Sequence, residues 1–407
     1  MILTRTPFRL PLGGGGTDLP AYYTRYGGFL VTASIDKHMY ININRPALVN
    51  KIKLNYTRTE IVNTASELKH DVVRESLKLM NIGAPIEIHS MADLSGGTGL
   101  GSSSTYTVGL LNGLSRIVRK YISVQELAEL ACKVEIDLIG KPIGKQDQYA
   151  AAFGGIIVLK IGTDGKVDVI PLHLHTEVIR DFENHLMMFY TEIERDANEI
   201  LAEQSRKLGI GGKESEALSV KREAGRESEA SSVRGEAEKS EETKRLGEEQ
   251  IGRQGDFGTG KAGDKGSWGK EGEGLGMNRE ESGWSKPKRE NPAVQAMHDI
   301  KEIGYRSKNA LENGDHETFG KLMHRHWEIK KKISIKMSNL QIDKWYEIAM
   351  NSGAIGGKIM GAGGGGFFLF CVENGKRKHL RSTLERAGLR YMDFRFDFEG
   401  SKVIANV

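Results

Sequence analysis

Hydrophobic and polar positions over residues 1–180 predict strands and helices in mixed order. Apolar and β-branched residues alternate or run together in three segments, which is typical of strands. These segments are residues 29–44, 51–56 and 85–89. Apolar residues recur at helical spacing in three others, namely residues 72–80, 105–119 and 124–139. A hairpin-like pair at 155–160 and 167–171 closes this α+β region.

The second half of the chain shows a similar mixture of periodicities. After an apolar run at 186–190, three helices and two strands are predicted. The helices are residues 294–312, 316–332 and 340–352, and the strands are residues 366–372 and 391–398. A chain of 407 residues is long enough for two domains. We therefore predict two α+β domains, residues 1–180 and 181–407.

One segment, residues 205–291, interrupts the second domain. Glu, Lys, Arg, Gly and Ser dominate it, aromatic residues nearly vanish, and no apolar periodicity survives. Such a segment cannot bury enough surface to offset its ordering entropy, so we predict an insertion that is disordered or partly helical at its start. Its charges have both signs, which favours a solvated linker over a docking arm for an anionic partner.

The totals of charge and cysteine exclude several classes of protein. The chain carries 58 basic and 54 acidic residues, a near balance that calls for neither nucleic acid nor an anionic membrane as partner. Its two cysteines stand in unrelated contexts, which excludes a disulfide framework and a CxxC pair. No signal-peptide core and no run of about 18 apolar residues is present. We expect a soluble cytoplasmic protein.

A glycine-rich loop at residues 93–104 gives the strongest signal for chemistry. Glycines let the backbone approach an anion, and hydroxyls at a helix N-terminus accompany free N–H groups that favour phosphate. Ser102 stands where a P-loop needs lysine, and the glycine spacing differs from a dinucleotide fingerprint. A helix cap alone would need one hydroxyl and no glycines. The predicted phosphate-binding residues are Gly96, Gly97, Thr98, Gly99, Leu100, Gly101, Ser102, Ser103 and Ser104.

Two further glycine clusters accompany this loop. Residues 358–367 contain G-x-G-x-x-G, but they follow a helix and enter a strand, the reverse of the nucleotide-binding order. We interpret them as a second close-approach loop; a flexible turn is the alternative. The cluster at 9–18 places Arg9 and Asp18 on either side of four glycines. This arrangement suits a polyhydroxylated ligand.

Two carboxylates complete the candidate chemistry. Glu135 faces the buried edge of its predicted helix, which is costly unless the carboxylate is paired or holds a metal. Asp147 is predicted in a polar loop, where a turn or cap role is the alternative. Phosphoryl transfer needs one carboxylate for Mg²⁺ and another to deprotonate the attacking hydroxyl.

Two other polar features are interpreted as structural. His324 and His326 are two residues apart on a helix and therefore cannot share a metal. The run Lys330–Lys332 is interpreted as a solvated face.

Three motifs in order make the chain resemble the galactokinase, homoserine kinase, mevalonate kinase and phosphomevalonate kinase (GHMP) superfamily. The first motif includes Pro7-Phe8-Arg9 and Gly16-Thr17-Asp18, the second is residues 95–104, and the third is residues 358–367. The stretches 7–23, 140–155 and 394–402 look like bacterial D-glycero-D-manno-heptose 7-phosphate kinases. Leu94-Ser95-Gly96 departs from the proline and alanine that usually open the second motif, which changes loop stiffness and not its donors.

The resemblance implies an S5-like N-terminal domain, a ferredoxin-like C-terminal domain, and ATP and sugar in the cleft between them. Asp147 would be the catalytic base, and Arg9 would stabilise the attacking oxygen or the transferring group. The residues expected to bind the sugar are Thr17, Asp18, Lys145, Gly363 and Gly364. A serine of the 102–104 run, Ser103 by our choice, and Glu135 would hold Mg²⁺. ATP would bind at residues 96–104.

The expected reaction is ATP-dependent phosphorylation of the anomeric hydroxyl of heptose 7-phosphate, giving the 1,7-bisphosphate. Alternatives are an L-fucose or galactose 1-kinase, an inactive relative that senses sugar and ATP, and a nucleic-acid binder using the S5-like fold. A 7-phosphate needs extra cations, for which the candidates are Arg5, Arg25, Lys145 and Arg195. Lys145, two residues from Asp147, is the first choice. The oligomeric state stays open.

Overall fold

The computed structural model describes residues 1–193, 197–208 and 291–406. The predicted insertion at 205–291 lies outside these residues except at its ends, so its disorder stays a prediction. The helices are α1 Pro20–Tyr26, α2 Asp71–Leu79, α3 Ser102–Ile117, α4 Val124–Cys132, α5 Gln146–Phe153, α6 Thr176–His185, α7 Ala197–Lys207, α8 Pro292–Glu312, α9 His316–Ile333, α10 Leu340–Asn351 and α11 Arg377–Arg386. Short 3₁₀ turns lie at Ala65–Glu67 and Ile335–Met337, and a π turn at Lys133–Leu138 continues α4.

Twelve strands accompany these helices in the described residues. They are β1 Ile2–Gly13, β2 Gly28–Asn44, β3 Ile52–Asn55, β4 Thr59–Val62, β5 Ile86–Ala92, β6 Ile156–Ile161, β7 Val167–Pro171, β8 Leu186–Tyr190, β9 Ala354–Ile359, β10 Phe367–Val372, β11 Arg390–Met392 and β12 Lys402–Asn406. They form one sheet of eight strands and one of four. The predicted α+β architecture is confirmed. The predicted boundary near residue 180 falls inside α6 and stays a prediction.

The eight-stranded sheet is organised around the long strand β2. One part of β2, Gly28–Ala33, pairs with β6, and another part, Met39–Asn44, pairs with β5. β1 lies antiparallel beside β2, and the order β12-β1-β2-β5-β3-β4 runs through both. The sequence patterns did not predict β1, because Pro7 and Pro11 interrupt it and a run of glycines begins at its last residue, Gly13. This strand carries Arg9 to the site described below.

Helix α3 packs closely on this sheet through two glycines. A Cβ added at Gly109 would lie 2.8 Å from Thr6 Oγ1, and one at Gly113 would lie 2.7 Å from Ile43 Cδ1. Such distances are below ordinary van der Waals contact, so only glycine lets the helix approach the strands this closely. The N-terminus of α3, which follows the glycine-rich loop, is thereby fixed relative to β1.

The four-stranded sheet is antiparallel throughout, in the order β11-β8-β10-β9. Its core is aromatic: Phe189, Phe368, Phe370 and Trp327 are fully buried. Trp327 belongs to α9, whose Gly320 lies against β9, where a Cβ at Gly356 would meet the Gly320 carbonyl oxygen at 2.1 Å. Helix and sheet therefore lie in direct backbone contact.

The end of the chain returns to the eight-stranded sheet. The strand predicted at 391–398 is wrong in extent, because β11 ends at Met392 and the following residues change partner. The Asp397 amide donates to the Ser34 carbonyl, the Gly155 amide donates to the Asp397 carbonyl, and β12 then pairs with β1. The residues after Met392 therefore do not continue the hydrogen-bonded ladder that pairs β11 with β8.

The Asp397 carboxylate fixes this crossing. It accepts hydrogen bonds from His38 Nε2 at 2.7 Å and from the Glu399 amide at 2.7 Å. Burial acts to raise the pKa of Asp397, but the His38 and Glu399 hydrogen bonds outweigh it and hold the pKa below its ordinary value of 3.8. The ionised carboxylate therefore stabilises the folded chain.

We expect Asp397→Asn to lower the free energy of unfolding at pH 7 by about 1–3 kcal/mol, since charge-assisted hydrogen bonds are lost. A lowered folded-state pKa gives stability that is present above the unfolded pKa and lost as pH falls through the folded value. The difference in melting temperature should therefore shrink below about pH 4. Thermal melts from pH 7 downwards test this. Asp168→Asn, at an exposed residue of β7, is the control, and a pH-independent difference would exclude the carboxylate as the cause.

Candidate active site

A cavity of about 330 Å³ brings the three glycine clusters together. Its wall includes Gly15 and Gly16 of the first cluster, the loop from Gly97 to Ser104, and the loop from Met360 to Gly365. Ile143, Gly144, Gln146 and Asp147, which precede and begin α5, form another part of the wall. The sequence predicted each glycine cluster separately, and the fold makes them one site.

The second and third glycine clusters touch backbone to backbone. A Cβ at Gly99 would lie 2.7 Å from the Met360 carbonyl oxygen, and a Cβ at Gly361 would lie 2.7 Å from the Gly99 carbonyl oxygen. Gly99 also has a φ of +79°, in the left-handed region that favours glycine. Gly99 and Gly361 are therefore needed because a side chain at either position would collide with the facing backbone, and not only because glycine is flexible.

The nine residues predicted to bind phosphate divide into two groups. Gly97, Gly99, Gly101 and the three serines line the cavity, and the serines form the first turn of α3. Gly96, Thr98 and Leu100 do not line it. Leu100 is fully buried in the hydrophobic core, and the Thr98 hydroxyl donates to the Ser95 carbonyl at 3.2 Å. These side chains hold the loop in place.

Arg9 and Asp147 form a two-pronged ion pair at the wall of the cavity. Arg9 Nε and Nη2 donate to the two Asp147 carboxylate oxygens at 2.7 and 2.8 Å. Arg9 Nη1 donates to the Gly99 carbonyl at 2.7 Å. Arg9 is almost fully buried, whereas the Asp147 side chain keeps about a quarter of its surface exposed. The carboxylate is thus oriented from behind and remains accessible from the cavity.

The predicted loop position of Asp147 is wrong, because Asp147 is the second residue of α5. The polar sequence of α5 gave no helical pattern of apolar residues, because two of its buried positions are glutamines with specific hydrogen-bond partners. Gln146 Nε2 donates to the Thr32 hydroxyl at 3.1 Å, and Gln148 Nε2 donates to Glu135 at 2.8 Å. A carboxylate in the first turn of a helix is also favoured by the helix dipole.

Asp18 lines the cavity in a buried position. Its oxygens accept hydrogen bonds from the Gly16 amide at 2.9 Å and the Gln146 amide at 3.1 Å. Burial raises the pKa of Asp18, and the charge of Asp147 adds to that effect. Gly144 allows the approach, because a Cβ there would lie 1.9 Å from Asp18 Oδ2. This carboxyl can accept hydrogen bonds from a ligand hydroxyl.

Thr17 and Lys145 lie behind the cavity wall. The Thr17 hydroxyl contacts the Gly14 and Phe29 carbonyls at 2.8 and 2.9 Å. The Lys145 ammonium donates to the Gly165 carbonyl and lies 5.5 Å from the centre of the Tyr23 ring. Neither side chain lines the cavity. In the third cluster Gly363 lines it, while the Gly364 amide donates to the Met337 carbonyl at 2.6 Å.

Two other cations predicted for a distal phosphate, Arg5 and Arg25, also lie away from the cavity wall. Arg5 pairs with Glu399, and Arg25 lies in the last turn of α1, outside the residues that line the cavity. Arg195 lies outside the described residues.

Glu135 and Ser103 form a corner that fits a metal ion. Glu135 is fully buried in the π turn, and Ser103 Oγ donates to its Oε1 at 2.6 Å. The Lys141 ammonium donates to both, at 3.1 Å to Glu135 Oε1 and 2.7 Å to Ser103 Oγ. A carboxylate and a hydroxyl are the hard oxygen donors that Mg²⁺ prefers. The ammonium shows that positive charge is accommodated here.

Sequence reasoning missed three nitrogen-bearing side chains of the cavity wall: His326, Lys330 and Lys358. The interpretation of Lys330 as part of a solvated face is wrong, because it lines the cavity and donates to the Gly361 carbonyl at 3.3 Å. The spacing of His326 and Lys330, four residues apart and so on one face of α9, was the available signal. His324 lies elsewhere and contacts Tyr346 Oη at 2.7 Å.

Comparison with known proteins shows similarity to kinases. Residues 63–155 match the GHMP kinase N-terminal domain, and residues 307–388 match the GHMP kinase C-terminal domain. D-glycero-alpha-D-manno-heptose 7-phosphate kinase of Campylobacter jejuni is 26% identical, with 98% of each chain covered. Galactokinase of Pyrococcus furiosus is 24% identical over 95% of this chain and 93% of its own.

A solved structure shows the same fold. The crystal structure of a D-glycero-D-manno-heptose 1-phosphate kinase from Bacteroides thetaiotaomicron superposes with a TM-score of 0.68 at 21% identity, and each chain is covered completely. Within the described ranges, no helix is both long and apolar enough to cross a membrane.

The glycine-rich loops and the ion-paired Asp147 carboxylate lie in one cavity, and the sequence matches are to kinases. The protein is therefore a kinase. The chain contains a GHMP kinase N-terminal domain match followed by a GHMP kinase C-terminal domain match, in that order. The resemblance predicted from the three motifs is confirmed. Kinases of this class use ATP.

We expect Gly99→Val to weaken ADP and ATP binding by about tenfold or more, because a side chain in the left-handed region costs about 1–2 kcal/mol. The added Cβ would also overlap the Met360 carbonyl. Binding of a sugar acceptor should change much less. Calorimetry with ADP and with the acceptor measures both. Gly96→Val is the matched control, since Gly96 has open space around its Cβ position. Equal losses for nucleotide and acceptor would indicate general misfolding.

Proposed function

We propose that this kinase transfers the γ-phosphoryl group of ATP to the anomeric hydroxyl of D-glycero-α-D-manno-heptose 7-phosphate, giving the 1,7-bisphosphate. The observation that carries the proposal is the Arg9–Asp147 pair, held in one cavity with the glycine loop and Asp18. End-to-end similarity to the Campylobacter jejuni heptose 7-phosphate kinase supports the choice of acceptor.

Asp147 acts as the general base in this proposal. Its carboxylate accepts the proton of the anomeric hydroxyl while that oxygen attacks the γ-phosphorus. The bond from the γ-phosphorus to the bridging oxygen breaks, and ADP leaves with that oxygen. Arg9 keeps both Asp147 oxygens in one plane at 2.7–2.8 Å and brings positive charge beside the transferring group.

The glycine loop holds the nucleotide phosphates. Free N–H groups at the start of α3, beside Ser102, Ser103 and Ser104, favour anions through hydrogen bonding and the helix dipole. Ser103 and Glu135 would hold Mg²⁺, with Lys141 moving aside or turning to a phosphate oxygen. When bound, Mg²⁺ would neutralise phosphate charge.

The acceptor sugar lies on the other side of Asp147. Asp18 accepts hydrogen bonds from sugar hydroxyls, and Gly363 presents backbone to the same space. Thr17, Gly364 and Lys145 contribute by holding the loops and turns around it. The two cysteines are free and buried, which suits a reducing compartment, and we propose a cytoplasmic enzyme.

Asp147→Asn should lower kcat by about 10²–10⁴-fold, because the amide cannot accept the hydroxyl proton. The Michaelis constants for ATP and acceptor should change only a few-fold. Steady-state kinetics measure both, with circular dichroism to check folding because the Arg9 ion pair is weakened. Asp168→Asn serves as the control. A variant within about tenfold of the wild-type kcat would remove Asp147 from the role of base.

An ADP-release assay across acceptors tests the substrate. We expect kcat/KM for heptose 7-phosphate to exceed that for the unphosphorylated heptose, L-fucose and galactose by about a hundredfold, as loss of charge-assisted phosphate contacts would cost. ³¹P NMR of the product should show a new anomeric phosphate. A higher kcat/KM for galactose or fucose would contradict the heptose assignment and leave the assignment as a kinase unchanged.

A further inference from the structure

Lys358 is a buried lysine in the wall of the cavity, at the end of β9. Its residue surface is 3% exposed. Its ammonium nitrogen lies 3.1 Å from the Leu12 carbonyl oxygen and 3.4 Å from His326 Nδ1. A lysine ammonium has three donors, so these two contacts leave capacity for another acceptor. Lys330 lines the same cavity from α9.

The surroundings of Lys358 are positive. In the described ranges no carboxylate pairs with it, and the charged groups that act on it are Lys330 and Arg9. Arg9 itself is paired with the Asp147 carboxylate, to which its Nε and Nη2 already donate. Burial first, and then the charges of Lys330 and Arg9, hold the pKa of Lys358 well below its ordinary value.

His326 lies close to the positive charges of Lys358 and Lys330. Burial first, and then Lys358 and Lys330, hold the pKa of its ring well below the ordinary value, with a backbone contact from Gly15 acting in the opposite sense. An uncompensated buried amine beside a neutral imidazole is costly when the cavity is empty. An apolar side chain of similar length would fill the place of Lys358 at lower cost. The lysine is therefore explained by an anion that enters the cavity.

We propose that Lys358, assisted by Lys330, binds a phosphate group of a substrate. The proposal rests on the phosphoryl-transfer function above and not on the heptose as acceptor. Two sources supply the same chemistry: the distal phosphate of a sugar phosphate, and the γ-phosphate of ATP. The contacts of Lys358 with Leu12 and His326 place it beside the first glycine cluster, and the contact of Lys330 with Gly361 extends the site towards the phosphate loop.

Proton uptake follows from this arrangement. A phosphate beside Lys358 favours the charged form of the amine and so raises its lowered pKa towards the ordinary value. The groups that face Lys358 are Arg9 from β1 and His326 and Lys330 from α9, with Asp147 of α5 reached through Arg9. At a pH between the lowered and the raised pKa of Lys358, binding of the phosphate-bearing ligand therefore takes up a proton, and binding of the ligand that lacks that phosphate does not.

The test is calorimetry on the full chain in two buffers of different ionisation enthalpy. The ligands are ADP, the ATP analogue AMPPNP, heptose 7-phosphate and the unphosphorylated heptose. Lys358→Met keeps the length of the side chain and removes the charge. The substitution should weaken binding of the phosphate-bearing ligand by about tenfold or more and abolish the proton uptake that accompanies binding. Lys321→Met, at an exposed position of the same helix as Lys330, is the matched control.

Each outcome decides the matter. A loss confined to heptose 7-phosphate assigns the site to the acceptor, and a loss for AMPPNP but not ADP assigns it to the γ-phosphate. If AMPPNP depends on Lys358 while no sugar phosphate binds, the heptose assignment fails and the anion site stands. Unchanged affinities with no proton uptake would make Lys358 a structural residue and overturn the proposal. Lys330→Met, at a less buried position, answers the same question if Lys358→Met does not fold.

Discussion

The two-pronged contact of the Arg9 guanidinium with Asp147 is the interaction on which the site depends. Arg9 reaches it from β1, Asp147 from α5, and the third guanidinium nitrogen binds the Gly99 carbonyl of the phosphate loop. One buried side chain thus fixes Asp147, the proposed base, relative to the glycine-rich loop at residues 93–104. The Gly99–Gly361 backbone contact then ties that loop to the third cluster, so all three motifs share one frame.

Sequence patterns predicted the fold where local signals agree with tertiary partners. The strands around residues 29–44 and 366–372 and the helix at 105–119 have strong periodicity, and the structure contains them with small shifts of their ends. β1 was missed because its prolines and glycines suit an edge or a turn, yet it lies between two strands. The C-terminal crossing could not be predicted, since Asp397 pairs with His38, far away in the sequence. Pairing at that separation leaves no local signal.

The candidate site shows the same division. The glycine clusters and the buried Glu135 could be recognised from the sequence. Repeated glycines and a carboxylate on an apolar helix face both lower stability unless they have a specific role. The direction of a side chain cannot be read from the sequence. Lys145 is two residues from Asp147, yet its ammonium donates to the Gly165 carbonyl behind the cavity wall. His326 and Lys358 lie 3.4 Å apart on two different elements, and only folding brings them together in the cavity wall.

Direct transfer between two ligands in one cavity is the central claim, and the stereochemical course at phosphorus tests it most directly. ATP made chiral at the γ-phosphorus with oxygen isotopes would be turned over with the acceptor, and the configuration of the sugar phosphate determined by ³¹P NMR. An in-line attack by the oxygen that Asp147 deprotonates predicts inversion. Retention would show that a protein side chain carries the phosphoryl group in between, and would contradict this account.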